Sequence, residues 1–328
     1  MATQCGVLGA DGCLGGWVIA RLDGGGRGAL TPTVWVVRAL IDVRELSEAH
    51  AQSQSQPRAH AKASAQVIVK PSVNGGAEAG AGASVRGVPA LPERMTAVVA
   101  VDMPLGLLEV YQRGGRACDR AARALLNAGG ARRGSSVFSP PTRGALACVE
   151  YRAACMANAS GAGVGAGAGL SKQSFNLFPK LREVDEVAIV LANNAAASAQ
   201  GSPAGVRMIE AHPELCFMRM AGGPVAEGKK TPAGRARRAA LLTQAGVAGV
   251  DTCIEQARAA AAGLADAMAS VGGGAPVRVA ADDVLDALAC AVVAWRVSRG
   301  AGLALPEDPL RLDVVPRDAR GLAMQIWR

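Results

Sequence analysis

The residues best placed to do chemistry are aspartates. "AADDVLDALACAVVAWRVSRG", residues 280–300, sets Asp282, Asp283 and Asp286 at the head of an otherwise apolar run. Asp11 lies in "GADGCLGGWVIA" (9–20), beside glycines 9, 12, 15 and 16. Asp102 ends an apolar run in "AVVAVDMPLG" (97–106), two positions before Pro104. Carboxylates that converge repel one another unless a cation or a shared proton relieves them. Two from strand ends and a pair from a helix would make an oxygen cage suited to Mg²⁺ or Mn²⁺. Such ions activate water and stabilise the leaving oxygen of a phosphodiester.

Each acid also has a plainer reading. Asp282 or Asp283 serves as a helix cap, first-turn acids suit the helix dipole, and Arg296, Arg299 and Gly300 make an ordinary C-terminal end. Asp11-Gly12 reads equally as a hairpin turn. Asp286 lies too far into the helix to cap. On an ideal helix it falls with Asp283 on the side away from the Leu285, Leu288, Val292 and Trp295 stripe. In "IEAHPE", Glu210 is a further candidate metal ligand, and His212 beside it reads as a hydrogen-bonded structural histidine before it reads as a base.

Basic and hydroxyl residues form a second group. Lys229, Lys230, Arg235, Arg237 and Arg238 follow one another without an acid, and Arg132, Arg133, Ser135 and Ser136 belong to "RRGSSVFSPP". Joined by Lys172 and Lys180, they could form the electrostatic floor that a polyanion needs. The competing reading is a solvated face. Aromatics are only 3% of the chain, which disfavours a platform for stacked single-stranded bases.

The elements that must position these groups are legible in outline. Cys5–Ala10, Trp17–Leu22 and Thr33–Val37 read as three antiparallel strands, and residues 38–50 as a helix. Residues 51–92 collapse into Ala, Gln, Ser and Gly, the composition of a disordered insertion. Residues 161–169 and 193–205 read as shorter flexible interruptions. Further strands are expected in "AVVAVDMPLG" (97–106), stopped by Pro104 and Gly106, in "VRMIEAHPE" (206–214), ended by Pro213, and at 277–280. Helices are expected at 116–127, near 231–245 and 252–270, and over the quoted 280–300, followed by a tail. The pattern implies a single α/β domain over 1–328, a mixed sheet with helices on both faces.

Bulk properties set the context. The 328 residues can bury a sizeable core, and the net charge of +8 favours an anionic partner. Eight scattered cysteines form no C-x-x-C pair and, with three histidines, argue against structural zinc. Reduced core thiols, no leader and no long apolar run lead to the expectation of a cytoplasmic protein without a membrane partner.

Seven blocks carry a family resemblance: "GADGCLGGWVIA", "VDMPLG", "RRGSSVFSPP", "SKQSFNLFPKLREVD", "IEAHPELCF", "GKKTPAGRARRAALL" and "DDVLDALACAVVAWR". In this order they resemble the motifs of the domain of unknown function 429 family, which is regarded as a predicted nuclease with a ribonuclease H-like fold. The resemblance implies a ribonuclease H-like sheet order, with Asp11 on the first strand and Asp102 at the end of the fourth. "DVLDALA" has the form of the acid pair, Asp283 and Asp286, that Holliday-junction resolvases carry on their last helix. The expectation is a metal-dependent nuclease that binds nucleic acid through Mg²⁺ or Mn²⁺. Two alternatives stay open: an actin-like ATP-dependent small-molecule kinase, whose phosphate loop is also an Asp-Gly turn, and a non-catalytic nucleic-acid binder.

Overall fold

Glycine-separated, β-branched runs at the start of the chain pair as a meander in the computed structural model. The structure describes residues 6–24, 29–40, 67–68, 98–128, 133–160, 169–198, 206–270, 276–307 and 315–328. Strands β1 (Val7–Cys13), β2 (Gly16–Gly24) and β3 (Leu30–Val37) are successively antiparallel, as the sequence leads one to expect. The first strand runs three residues past its expected end, so Asp11 lies inside β1 opposite Val18 rather than in a turn. Leu14 and Gly15 make the connection, and Gly15 takes the left-handed φ of 76° that an L side chain rarely adopts.

Next come β4 (Val67–Ile68) and β5 (Val98–Val101), then helices α1 (Ala117–Asn127), α2 (Arg143–Leu146), α3 (Tyr151–Ala159), α4 (Lys172–Asn176) and α5 (Phe178–Ser198). β6 (Arg207–Ala211) leads into α6 (Pro213–Ala221), α7 (Pro232–Gln244), α8 (Val250–Ser270) and α9 (Ala281–Ser298). β7 (Ala304–Leu305) and β8 (Ile326–Trp327) close the chain. The eight strands form one mixed sheet in the order β4-β3-β2-β1-β5-β6-β8-β7. β5 runs parallel to β1, and β6 parallel to β5.

Alternation along the strands supplies two cores. Val18, Ala20 and Leu22 of β2 and Val98 and Ala100 of β5 face one side, where α6, α7, α8 and α9 contribute Phe217, Leu241, Leu264 and Leu288. Trp17 and Ile19 of β2 and Val99 and Val101 of β5 face the other, against Phe178, Leu181 and Val184 of α5. Period-two geometry thus fixes which face each strand residue serves. Helix α9 lies across β1, β2 and β5 and is covered in turn by α6, α7 and α8. Residues Val284 to Ala294 are all buried. The one-sided stripe expected of this helix is corrected: small alanines let neighbours close around it, and Asp286 points into protein, while Asp282 and Asp283 in the first turn are half-buried.

Four other expectations change. Residues 277–280 make only the isolated bridge Leu14–Arg278. Helix α5 continues to Ser198, through part of the expected interruption at 193–205. A helix, α6, begins at Pro213, where the sequence suggested only a strand end. The tail contains two strands, one of them paired with β6. Within 51–92, Val67–Ile68 pair with Val36–Val37 at the sheet edge. The rest of that insertion and the helix expected over 38–50 lie, beyond residue 40, outside the described residues. Cys13, Cys118, Cys216, Cys253 and Cys290 are buried and unpaired, as reduced core thiols are. Among the described residues, no helix is long and apolar enough to cross a membrane.

Candidate functional site

The strand register brings the first two aspartates together. Ala10 pairs with Val101, and the Asp102 N–H donates to the Ala10 carbonyl at 3.0 Å, so Asp11 and Asp102 leave adjacent strands at one level. Val7 and Cys13, at odd positions of β1, face the α9 side, as do Val98 and Ala100 of β5. By the same alternation Asp11 and Asp102 face α9. Gly9 lets the helix come close: a Cβ there would stand 2.2 Å from the Ala287 carbonyl oxygen and 2.2 Å from the Ala291 nitrogen. One turn before Cys290, Asp286 faces the same space.

The three carboxyls line one cleft of about 540 Å³. Asp11 and Asp286 are buried and Asp102 half-buried. Burial, then the charges of Asp102 and Asp286, pushes the Asp11 carboxyl well above the ordinary carboxylate range. Burial pushes Asp102 up to about 7, with Lys229 opposing and Glu214 adding to the rise. Asp286 is likewise pushed up to about 7 by burial, against the pull of Lys229. Its Oδ2 accepts from Lys229 Nζ at 2.8 Å, while its buried Oδ1 has no hydrogen-bond partner among the described residues. Lys229 is held above its usual range, because the Asp286 carboxylate outweighs the effect of its own burial.

Asp283 behaves differently from Asp286. Its Oδ2 accepts from the Ala280 N–H at 2.8 Å, which caps α9, and it does not line the cleft. Its charge still raises Asp11. The two acids three residues apart therefore divide the roles: one satisfies backbone, the other faces the cleft.

Glu210 borders the cleft on the other face of the sheet. It pairs with Val101, and its neighbours Ile209 and Ala211 face the α9 side, so alternation turns Glu210 away from Asp11 and Asp102. There it receives Arg116 at 2.7 and 2.8 Å and the Leu105 N–H at 2.8 Å. Arg116 also holds Asp119 at 2.6 Å and the Leu105 carbonyl at 2.7 Å. This buried fork ties the loop after Asp102 to β6.

The basic residues scatter. Arg133, Ser135, Ser136, Lys229 and Lys230 line the cleft, with Ser135, Ser136 and Lys230 exposed at its rim. Lys180 does not line it; its ammonium meets the Gly16 carbonyl and lies 4.3 Å from the centre of the Trp17 ring. Burial lowers its pKa. Arg235 donates to the Lys230 carbonyl at 2.6 Å, outside the cleft. Arg238 is buried and grips Glu214 at 2.7 and 2.9 Å. The continuous basic face expected over 229–238 is corrected, because one side of α7 packs inward and takes Arg238 with it. Arg132 lies outside the described residues.

Glu214, which the sequence does not single out, and His212 also line the cleft. Glu214, in the first turn of α6, adds negative charge that raises Asp102 and Asp286 although Arg238 holds it. Its only sequence signal is an acid just after the proline that opens a helix. His212 Nε2 lies 3.3 Å from the Ser136 carbonyl and donates to it, while its buried Nδ1 has no partner among the described residues. Burial lowers its pKa and keeps it neutral, in line with a hydrogen-bonded structural histidine.

A family model described as a protein of unknown function (DUF429) matches residues 9–311. The chain belongs to the DUF429 family. Every cleft residue except Ile326 falls within the matched span. Comparison with curated proteins and with solved structures gives no match. What this DUF429 member does must therefore be argued from its cleft.

Proposed function

We propose that the protein is a metal-dependent phosphodiesterase acting on nucleic acid, a nuclease of ribonuclease H-like architecture. One observation carries the reading: aspartates from β1, the end of β5 and α9 converge on one cleft, and one of their buried oxygens has no partner among the described residues. The sheet order supports it. β3-β2-β1-β5-β6, with only β2 running antiparallel, agrees with the order that the family resemblance implies.

The donors fit a hard divalent cation in kind, being carboxylates whose ionisation is opposed by burial and by one another. Among the described residues, no group of three or more acids, cysteines or histidines is closed around a metal position. The aspartates are therefore a donor set rather than a finished cage. Asp11, Asp102 and Asp286 would hold the ion, with Asp283 contributing charge from its capping position. A bound Mg²⁺ or Mn²⁺ would supply Lewis acidity and activate water. Lys229, Lys230, Arg133 and the hydroxyls of Ser135 and Ser136 would bind and orient the phosphate at the rim. The Arg116 fork would keep the Asp102 loop fixed on β6.

The test is a Mg²⁺ and Mn²⁺ titration against labelled branched, hybrid, duplex and single-stranded substrates, with Asp102→Asn in parallel. Cleavage that needs the metal and vanishes in the variant is expected. No cleavage of any substrate, or cleavage that survives Asp102→Asn, would overturn the proposal.

A further inference from the structure

Lys229 holds a place in the cleft that the acids alone do not explain. Its ammonium is 2.8 Å from Asp286 Oδ2, so a cation already stands at the carboxylate most deeply placed among the donors. The two partners differ in freedom. The Asp286 side chain is 2% exposed and fixed on a helix buried on every side, whereas the Lys229 side chain is 41% exposed. The carboxylate has nowhere to go, but the ammonium does.

The backbone below Lys229 is pinned. Thr231 caps α7, accepting from the Gly234 N–H at 3.0 Å and donating to the Gly228 carbonyl at 2.8 Å. Gly234 packs so closely on that carbonyl that a Cβ would come within 1.9 Å of its oxygen. Any movement of the ammonium is consequently a movement of the side chain alone, through its own rotatable bonds, toward the rim where Lys230 stands.

We propose that Lys229 is a built-in competitor of the divalent cation: its ammonium fills the cation position at Asp286 and must leave before metal can bind there. The proposal rests on the metal-dependent reading of the cleft. An ammonium and a divalent ion cannot both lie against one carboxylate without strong repulsion. The lysine neutralises part of the aspartate cluster while no metal is present and sets the threshold of metal concentration at which the cluster fills.

The consequence is opposite in sign to structural damage. Removing Lys229 should tighten metal binding, whereas a variant that merely disturbs the cleft loosens it. The experiment measures Mn²⁺ affinity of the full chain by calorimetry and by the electron paramagnetic resonance of free Mn²⁺, without nucleic acid. Lys229→Met should bind Mn²⁺ roughly tenfold tighter than wild type, a factor ordinary for two coupled ligands. Lys229→Gln keeps a hydrogen-bond donor for Asp286 without the charge, and serves equally if the methionine variant does not fold. Lys229→Arg, which keeps the charge, should stay near wild type. Equal or weaker Mn²⁺ binding by the uncharged variants, with wild type binding normally, would overturn the competitor role and leave the nuclease reading standing. Failure of wild type and all variants to bind Mn²⁺ would overturn both.

Discussion

Asp286 offers a test of the cleft that needs no substrate. Its carboxyl moves from an ordinary 3.8 to about 7 in the folded protein, so the native state holds a proton that the unfolded chain has released. The sign follows from linkage. Where the folded state binds more protons, stability is greatest below the unfolded value and declines as pH rises toward the folded one. Each pH step inside that window costs about 1.4 kcal/mol. Between pH 5 and pH 7 the loss from this residue therefore reaches about 3 kcal/mol as a ceiling, since Asp102 and Asp11 share the same repulsion. Asp286→Asn cannot ionise and escapes the loss. The assay is urea unfolding in EDTA, with wild type and variant compared at pH 5 and pH 7. Glu210, also pushed up to about 7 by burial, titrates in both proteins and cancels in the difference between them. The variant should gain on wild type as pH rises, by up to about 3 kcal/mol. A difference that stays constant, or a variant that loses ground, would refute the argument that Asp286 is a strained buried acid. Saturating Mn²⁺ should then stabilise wild type and leave Asp286→Asn nearly unmoved.

Other expectations follow from single contacts. Gly9→Ala would drive a methyl into the α9 backbone and should destabilise by about 3 kcal/mol or more, read from the urea midpoint. Arg116→Met leaves Glu210 and Asp119 buried without their shared partner, and should cost about 3–5 kcal/mol in the same assay. If the cleft binds duplex, Lys230→Ala should reduce the salt slope of binding by about 0.9, because its ammonium stands at the rim. Arg235→Ala, outside the cleft, should leave that slope unchanged, as fluorescence anisotropy over a salt series would show.

The sequence makes the antiparallel start, the strand before Asp102 and helices α1, α7, α8 and α9 legible, because each is a run with a clear period. The neighbouring of Asp11 and Asp102 is legible as a conditional: it needs β1 beside β5. The face of Glu210 is not legible, since its direction depends on a register between β5 and β6 that only tertiary pairing sets. The charge runs mislead for a related reason. Arg238 belongs to a run that reads as a solvated face, yet its partner Glu214 lies 24 residues away, and Arg116 finds Glu210 across 94 residues. Alanine-rich stretches hide two features: the burial of α9 on all sides, and the continuation of α5 into "NNAAAS", which composition alone marks as an interruption. Strands of two residues, such as β7 and β8, are too short to carry any period.

The contact at Gly9 gives the cleft an unusual kind of robustness. Strand and helix meet there through main-chain atoms, with no side chain between them. The separation of Asp11 from Asp286 is consequently not adjustable by exchanging one core residue for another of different volume. Leucine, valine and isoleucine can trade places around the two elements while the carboxyls keep their spacing. What would alter it is a slip of the helix along the strand, and one helical turn is about 5.4 Å, enough to carry Asp286 out of the cluster altogether. Mutation of the surrounding core should thus leave the acid constellation either intact or absent, with few intermediate geometries.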